Sequence, residues 1–213
     1  MQIVITEDRG PVRHLILNRP EKRNAMNAEM ILALGEAVEY AANDSAVRVV
    51  VLRGEGAMFS SGVDFASFLP LIEDPSQLRG FRRPMLETWN LLEEMTKPTI
   101  AQIHGACIGG ALELALACDL RVCVPGAEFF YPVMKRGYLP QPSDPARLEA
   151  LVGPSRARMI LLAGQRIKAD QALDWGLVDH LAEDALAGAL TLAADALGAD
   201  PRHVQRMKAM FKG

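Results

Sequence analysis

The stretch Thr99-Ile100-Ala101-Gln102-Ile103-His104-Gly105-Ala106-Cys107-Ile108-Gly109-Gly110-Ala111-Leu112-Glu113-Leu114 passes from a β-like run, through glycines, into an apolar helix. The run Thr99 to Ile103 predicts a strand and Ala111 to Ala117 a helix. The same order recurs upstream, where Val47 to Leu52 is dense in β-branched residues and suits a parallel strand buried on both faces. Gly54, Gly56 and Gly62 then open a loop. Ile3 to Ile5 and Val12 to Leu17 flank the turn Arg9-Gly10 and predict an N-terminal hairpin. Asn27 is placed to cap a helix from Ala28 to Ala42, with Met30, Ile31, Leu34, Val38 and Ala41 on one face. Residues 66–83 have weak periodicity and contain Pro70 and Pro75, so they read as a mobile segment, with a helix starting at Pro84 and running to Met95. A strand at Leu120 to Val124 follows, then helices at 155–162, 169–175, 186–197 and 202–211. Strand and helix alternate before the chain becomes all helical, which is an α/β pattern.

The bulk properties exclude several classes. The chain has 213 residues, 50% hydrophobic and 23% charged, which is enough for one sizeable core. Its net charge of −3, without a Lys/Arg run, argues against nucleic acid as a partner. There is no apolar run long enough for a membrane span and no signal-peptide pattern at the start. Cys107, Cys118 and Cys123 are odd in number and set among apolar residues, which suits reduced thiols and a cytoplasmic location. No His, Cys, Asp and Glu cluster has metal-ligand spacing.

Two glycine-bearing strand-to-helix junctions carry the chemical signal. One is Phe59-Ser60-Ser61-Gly62-Val63-Asp64-Phe65 and the other is His104 to Leu114. Glycines let backbone N–H groups face a ligand, and a helix start adds partial positive charge. Donors converging from two loops form an oxyanion hole suited to a thioester carbonyl that becomes an enolate. The plainer alternative is a pair of ordinary strand-to-helix turns.

The segments Leu17 to Asn27, Phe59 to Phe65, Gly105 to Asp119, Pro140, Arg147-Leu148 and Ala172 to Val178 occur in an order that resembles the crotonase (enoyl-CoA hydratase/isomerase) superfamily over nearly the whole chain. The resemblance implies a spiral of stacked ββα units (residues 1–183) followed by a shortened C-terminal helical segment (residues 184–213), assembled as a trimer or hexamer. It implies an acyl-CoA substrate, with coenzyme A as part of the substrate and no separate cofactor or metal. By position, the amides of Val63 and Gly110 match the oxyanion hole, beside Gly62 and Gly109. Arg23 and Ala25 match the pantetheine and phosphate end, and Ser61, Asp64 and Phe65 match the adenine end. Arg19, Lys22 and Arg23 suit CoA phosphates, or form a solvated loop.

Glu113 falls one helical turn after Gly110 and matches the first of the two glutamates of family hydratases. A charge-paired Glu near a helix start is the alternative, although its apolar neighbours argue against a surface position. The second glutamate is replaced by Val133, which cannot transfer protons, and the glycine-rich stretch after Pro140 reads Gln141-Pro142-Ser143-Asp144-Pro145. Asp144 reads first as a helix N-cap, with Asp144 or Gln141 as a substitute polar group the other option. Tyr131 and Tyr138 read as core tyrosines before donors, His104 as an ordinary strand end, and Asp119 as structural. Hydration or double-bond isomerisation of an enoyl-CoA is the default implied activity. A decarboxylase of the methylmalonyl-CoA type and a non-catalytic subunit binding acyl-CoA or acyl-carrier protein are the competing readings. Family members continue beyond Phe211, which implies a pocket that is open or completed by another subunit.

Overall fold

The computed structural model describes residues 2–137 and 139–211. The hairpin forms as β1 (Val4–Arg9) and β2 (Val12–Leu17), paired antiparallel with Arg9 opposite Val12. Asn27 caps α1 (Ala28–Asn43) by accepting from the Met30 amide, and the five predicted apolar residues are its buried set. Then come β3 (Val49–Gly54), α2 (Phe65–Phe68), α3 (Pro75–Glu94), β4 (Thr99–Ile103), β5 (Ala106–Ile108) and α4 (Gly110–Leu116). The chain continues as β6 (Leu120–Cys123), β7 (Glu128–Phe130), α5 (Val133–Arg136), α6 (Asp144–Val152), α7 (Pro154–Leu161), β8 (Ile167–Lys168), α8 (Ala169–Trp175), β9 (His180–Leu181), α9 (Ala185–Gly198) and α10 (Pro201–Met210).

Six strands form one sheet in the order β1-β2-β3-β4-β6-β9, and β5-β7-β8 form a second. From β2 onward the large sheet is parallel. Its central strand explains the β-branched run. Val50 and Leu52 enter the main core, whereas Val49 and Val51 face Ala185, Ala189 and Ala193 of α9. A strand covered on both faces needs apolar residues at every position rather than at alternate ones.

Two expectations are corrected. Residues 66–83 are not an irregular segment: they hold α2, a 3-10 turn at Leu69–Leu71 and the first half of α3. Asp74 starts α3 by accepting from the amides of Ser76 and Gln77, with Pro75 at the first helical position, so the helix begins at Pro75 rather than Pro84. Pro84 sits inside it, and the helix is held by burying Phe81, Met85, Trp89 and Leu92. The chain after β6 is also not all helical, because β7 pairs with β5 over three residues and β8 and β9 each extend a sheet by two. No helix among the described residues is long and apolar enough to cross a membrane.

Candidate active site

The segment Phe59–Asp64 is zipped between two others. On one side the Phe59 and Ser60 amides donate to His104 and Ala106 carbonyls, and the Ile108 amide donates to Ser60. On the other side Ser61 donates to Arg23, Met26 to Gly62, and Asp64 to Met26. Buried Asn24 fixes the bend between them: its side-chain amide donates to the carbonyls of Glu55, Met58 and Phe59. The buried Ser60 hydroxyl donates to the Asn24 carbonyl at 2.7 Å and accepts from the Gly62 amide at 3.0 Å.

This zipper brings the two glycine junctions together. Gly62 has φ +90°, and a Cβ there would lie 2.3 Å from the Ile108 carbonyl oxygen and 3.2 Å from the Gly110 nitrogen. A side chain at position 62 does not fit there. A Cβ on Gly110 would lie 3.6 Å from the Val63 nitrogen, so the two amides are neighbours. Neither amide has an acceptor among the described residues. Two unpartnered amides side by side are suited to a single oxygen that gains negative charge.

They face a cavity of about 530 Å³ that is also lined by Arg23, Ser61, Phe65 and Gly109, as the sequence pattern predicts. Three further cations at this cavity are not found by sequence reading: Lys135, Arg136 and Arg166. Arg166 and Lys135 both lie over the Phe130 ring, at 4.6 and 5.9 Å from its centroid, and Arg136 covers Phe65 at 4.6 Å. Arg166 is more than a hundred residues from Arg23 and reaches the mouth only because β8 pairs with β7.

Other predicted residues have structural engagements. Asp64 pairs with Arg19 at 3.0 Å and caps α2 by accepting from the Ala66 amide. Arg19 also donates to the Ala25 carbonyl, so it braces the loop instead of facing the cavity mouth. Asp119 bonds Thr99 and Lys208, in keeping with a structural reading. A larger groove of about 1030 Å³, bordered by Leu116, Met207 and Phe211, lies away from the two amides.

One turn along α4 from Gly110 is a buried acidic cluster, whose Glu113, Tyr131 and Asp144 are not among the residues lining the cavity at the two amides. Glu113 is 6% exposed, and its carboxyl is hydrogen-bonded to the Tyr131 hydroxyl. That hydroxyl also lies 3.0 Å from Asp144 Oδ2, which accepts the Gln141 amide at 2.9 Å. Asp144 is fully buried and is the first residue of α6, not its N-cap; Ser143 takes the cap position. Tyr131 is likewise more than a core filler, since it bridges two carboxyls. Tyr138 lies outside the described residues. Val133 is 1% exposed and packs in the core, two residues from Tyr131.

Burial raises the Glu113 carboxyl above the ordinary carboxylate range, and nearby Asp144 adds to this. Burial also raises Asp144, but the Tyr131 hydroxyl, the Gln141 amide and Arg147 oppose that rise. One phenol has one proton to donate, so it donates to one carboxyl and accepts from the other. Burial and the neighbouring Asp144 therefore favour a proton on Glu113. Glu113 Oε2, Asp144 Oδ1 and the Trp89 indole nitrogen lack ordinary hydrogen-bond partners among the described residues.

The enoyl-CoA hydratase/isomerase family model matches residues 7–213. The chain belongs to this family. A probable enoyl-CoA hydratase of Mycobacterium leprae is 38% identical over 209 residues, covering 97% of this chain and 81% of the relative. The mitochondrial Delta(3,5)-Delta(2,4)-dienoyl-CoA isomerase of Mus musculus is 36% identical over 219 residues, covering 97% of this chain and 67% of the relative. A solved enoyl-CoA hydratase/carnithine racemase from Magnetospirillum magneticum superposes with a TM-score of 0.94 at 31% identity, covering all of this chain and 80% of that one. The crotonase fold expected from the loop motifs is thus the fold of this family member.

Proposed function

We propose that the protein binds an acyl-CoA thioester and moves the double bond of an enoyl-CoA, with Glu113 as the acid–base group. The observation that carries this reading is the pair of adjacent, unpartnered Val63 and Gly110 amides, with the buried Glu113 one turn along α4 from Gly110. The thioester oxygen accepts from both amides, which stabilises the enolate formed when a proton leaves the adjacent carbon. Arg23, Lys135, Arg136 and Arg166 at the cavity mouth suit the phosphates of free CoA.

Isomerisation takes a proton from one carbon and returns it to another. A nearly water-excluded carboxyl that already shares a proton suits that task. Hydration is the second reading, because some relatives are named enoyl-CoA hydratases. The active unit is proposed to be the trimer or hexamer implied by the motifs.

The experiment is mass spectrometry of the protein incubated with 2-enoyl-, 3-enoyl-, 3-hydroxyacyl- and methylmalonyl-CoA, beside Glu113→Gln. Isomerisation appears as a retention shift at constant mass that the variant loses. Gain or loss of water supports hydration instead. Loss of carbon dioxide from the methylmalonyl thioester moves the chain to decarboxylation. CoA binding with every thioester unchanged contradicts the enzyme reading, and turnover only on a carrier-protein thioester contradicts free CoA.

A further inference from the structure

We propose that Tyr131 and Asp144 are positioning residues that store the proton Glu113 exchanges, so that one glutamate works here without a second acid at Val133. This rests on the acyl-CoA reading above and extends it to two residues of otherwise structural appearance. The geometry is a bridge: the Tyr131 hydroxyl contacts one oxygen of Glu113 and, at 3.0 Å, one oxygen of Asp144. All three groups are buried, and water does not supply the missing partners cheaply.

The proton count balances through the bridge. In one state Glu113 is protonated and donates to the phenol oxygen, while the phenol donates to ionised Asp144. In the other, the Glu113 proton has passed to the phenol oxygen and the phenol proton to Asp144. The net charge is −1 in both, and Tyr131 ends with one proton. The second state leaves Glu113 ionised and able to accept a proton from the thioester; the reverse shift restores it as an acid. No oxidant or further reactant is required.

The sequence explains the arrangement. Tyr131 ends the run after β7, and Asp144 opens α6, whose Leu148 and Val152 anchor it in the core. The Gln141 amide at 2.9 Å and Arg147 Nη1 at 3.7 Å make Asp144 the better resting place for negative charge. The charged and titratable groups facing Glu113 are therefore Tyr131 from the β7 side, and Asp144 with Arg147 behind it from α6. Glu93 of α3 is reached only through its pair with Arg147. Trp89 of α3 faces the cluster as an uncharged indole.

The test uses infrared titration of the unliganded protein, with wild type, Tyr131→Phe, Asp144→Asn and Asp144→Glu. The protonated-carboxyl band lost in Glu113→Gln reports the shared proton without any need for turnover. Removing the Asp144 charge should lower the midpoint of that band, and removing the phenol donor should raise it. On whichever enoyl-CoA is turned over, both variants should lose about tenfold or more in kcat with KM changed less than about threefold, and Asp144→Glu should recover part of the loss. Thermal denaturation identifies any variant that fails to fold, and the remaining Asp144 pair then carries the test. Unmoved midpoints overturn the proposal whatever the turnover. Moved midpoints with unchanged kcat overturn the catalytic use of the bridge. If the midpoints move but no thioester reacts, the acyl-CoA reading fails and the stored proton has no catalytic use.

Discussion

Two buried ionic clusters in this protein differ in how completely they are satisfied. Arg121 of β6 is 2% exposed, and every guanidinium nitrogen has a partner: Nε donates to Leu177, Nη1 to Cys118 and Nη2 to Asp179 at 2.9 Å. The Asp179 carboxylate also accepts the Arg121 amide, which ties β6 to the approach of β9. The Glu113–Tyr131–Asp144 cluster is the opposite case. It has two acids and one phenol, and among the described residues one oxygen of each carboxyl lacks a hydrogen bond, that of Asp144 having only the longer Arg147 contact at 3.7 Å. A satisfied cluster resists change and holds a sheet together, whereas an underpartnered one leaves capacity to bind and move a proton.

The largest expected effect separates the two. Arg121→Met orphans two buried carbonyls and leaves Asp179 with only the backbone amide, so it should cost about 3 kcal/mol of stability, read by urea denaturation. Its kcat per folded molecule should stay close to wild type. Glu113→Gln should do the reverse, lowering kcat about a hundredfold or more in a thioester assay while the protein stays folded. A large stability loss from Glu113→Gln, or a large kcat loss from Arg121→Met, breaks the contrast.

The pH dependence sharpens it. The folded state holds Glu113 above the ordinary carboxylate range, so at low pH both folded and unfolded chains are protonated there and no penalty arises. As pH rises past the ordinary range, the unfolded chain ionises first and wild-type stability falls. Glu113→Gln has no such group, so its stability relative to wild type should grow steadily between about pH 5 and about pH 8. Melting temperatures across that range check the slope. His14 gives the opposite sign: burial pushes its imidazole down to about 4, so stability should fall as pH drops below its ordinary value.

The smallest effect belongs to the exposed cations. Arg166 pairs with Glu128 at 3.3 Å and lies at the cavity mouth. Arg166→Ala should weaken CoA binding by about 1 kcal/mol or less in calorimetry, and less so at high salt.

The sequence made local matters readable and left long-range ones hidden. The Asn27 cap, the N-terminal hairpin and the β-branched run before Gly54 each act within a few residues and form, although the hairpin turn falls at Gly10-Pro11 and Arg9 stays in β1. The two glycine junctions were readable because Gly62 leaves no room for a Cβ, and they do converge at one cavity. Residues 66–83 were not, because two prolines and sparse apolar residues hide a helix that is stabilised by burying Phe81 and Trp89. Asp144 followed by Pro145 has the local look of a cap, and only the fold brings Tyr131 and Glu113 against it. Arg166 was invisible for the same reason, since its place depends on a strand pair across the second sheet.

The most direct measurement is solvent deuterium incorporation into a 3-enoyl-CoA or its product, followed by mass spectrometry in heavy water. Wild type should isomerise the thioester and place deuterium at the carbon beside it or at the carbon that is reprotonated, and Glu113→Gln should do neither. Equal isomerisation and incorporation by wild type and variant, or a thioester left unchanged by both while CoA binds, would contradict the role assigned to Glu113.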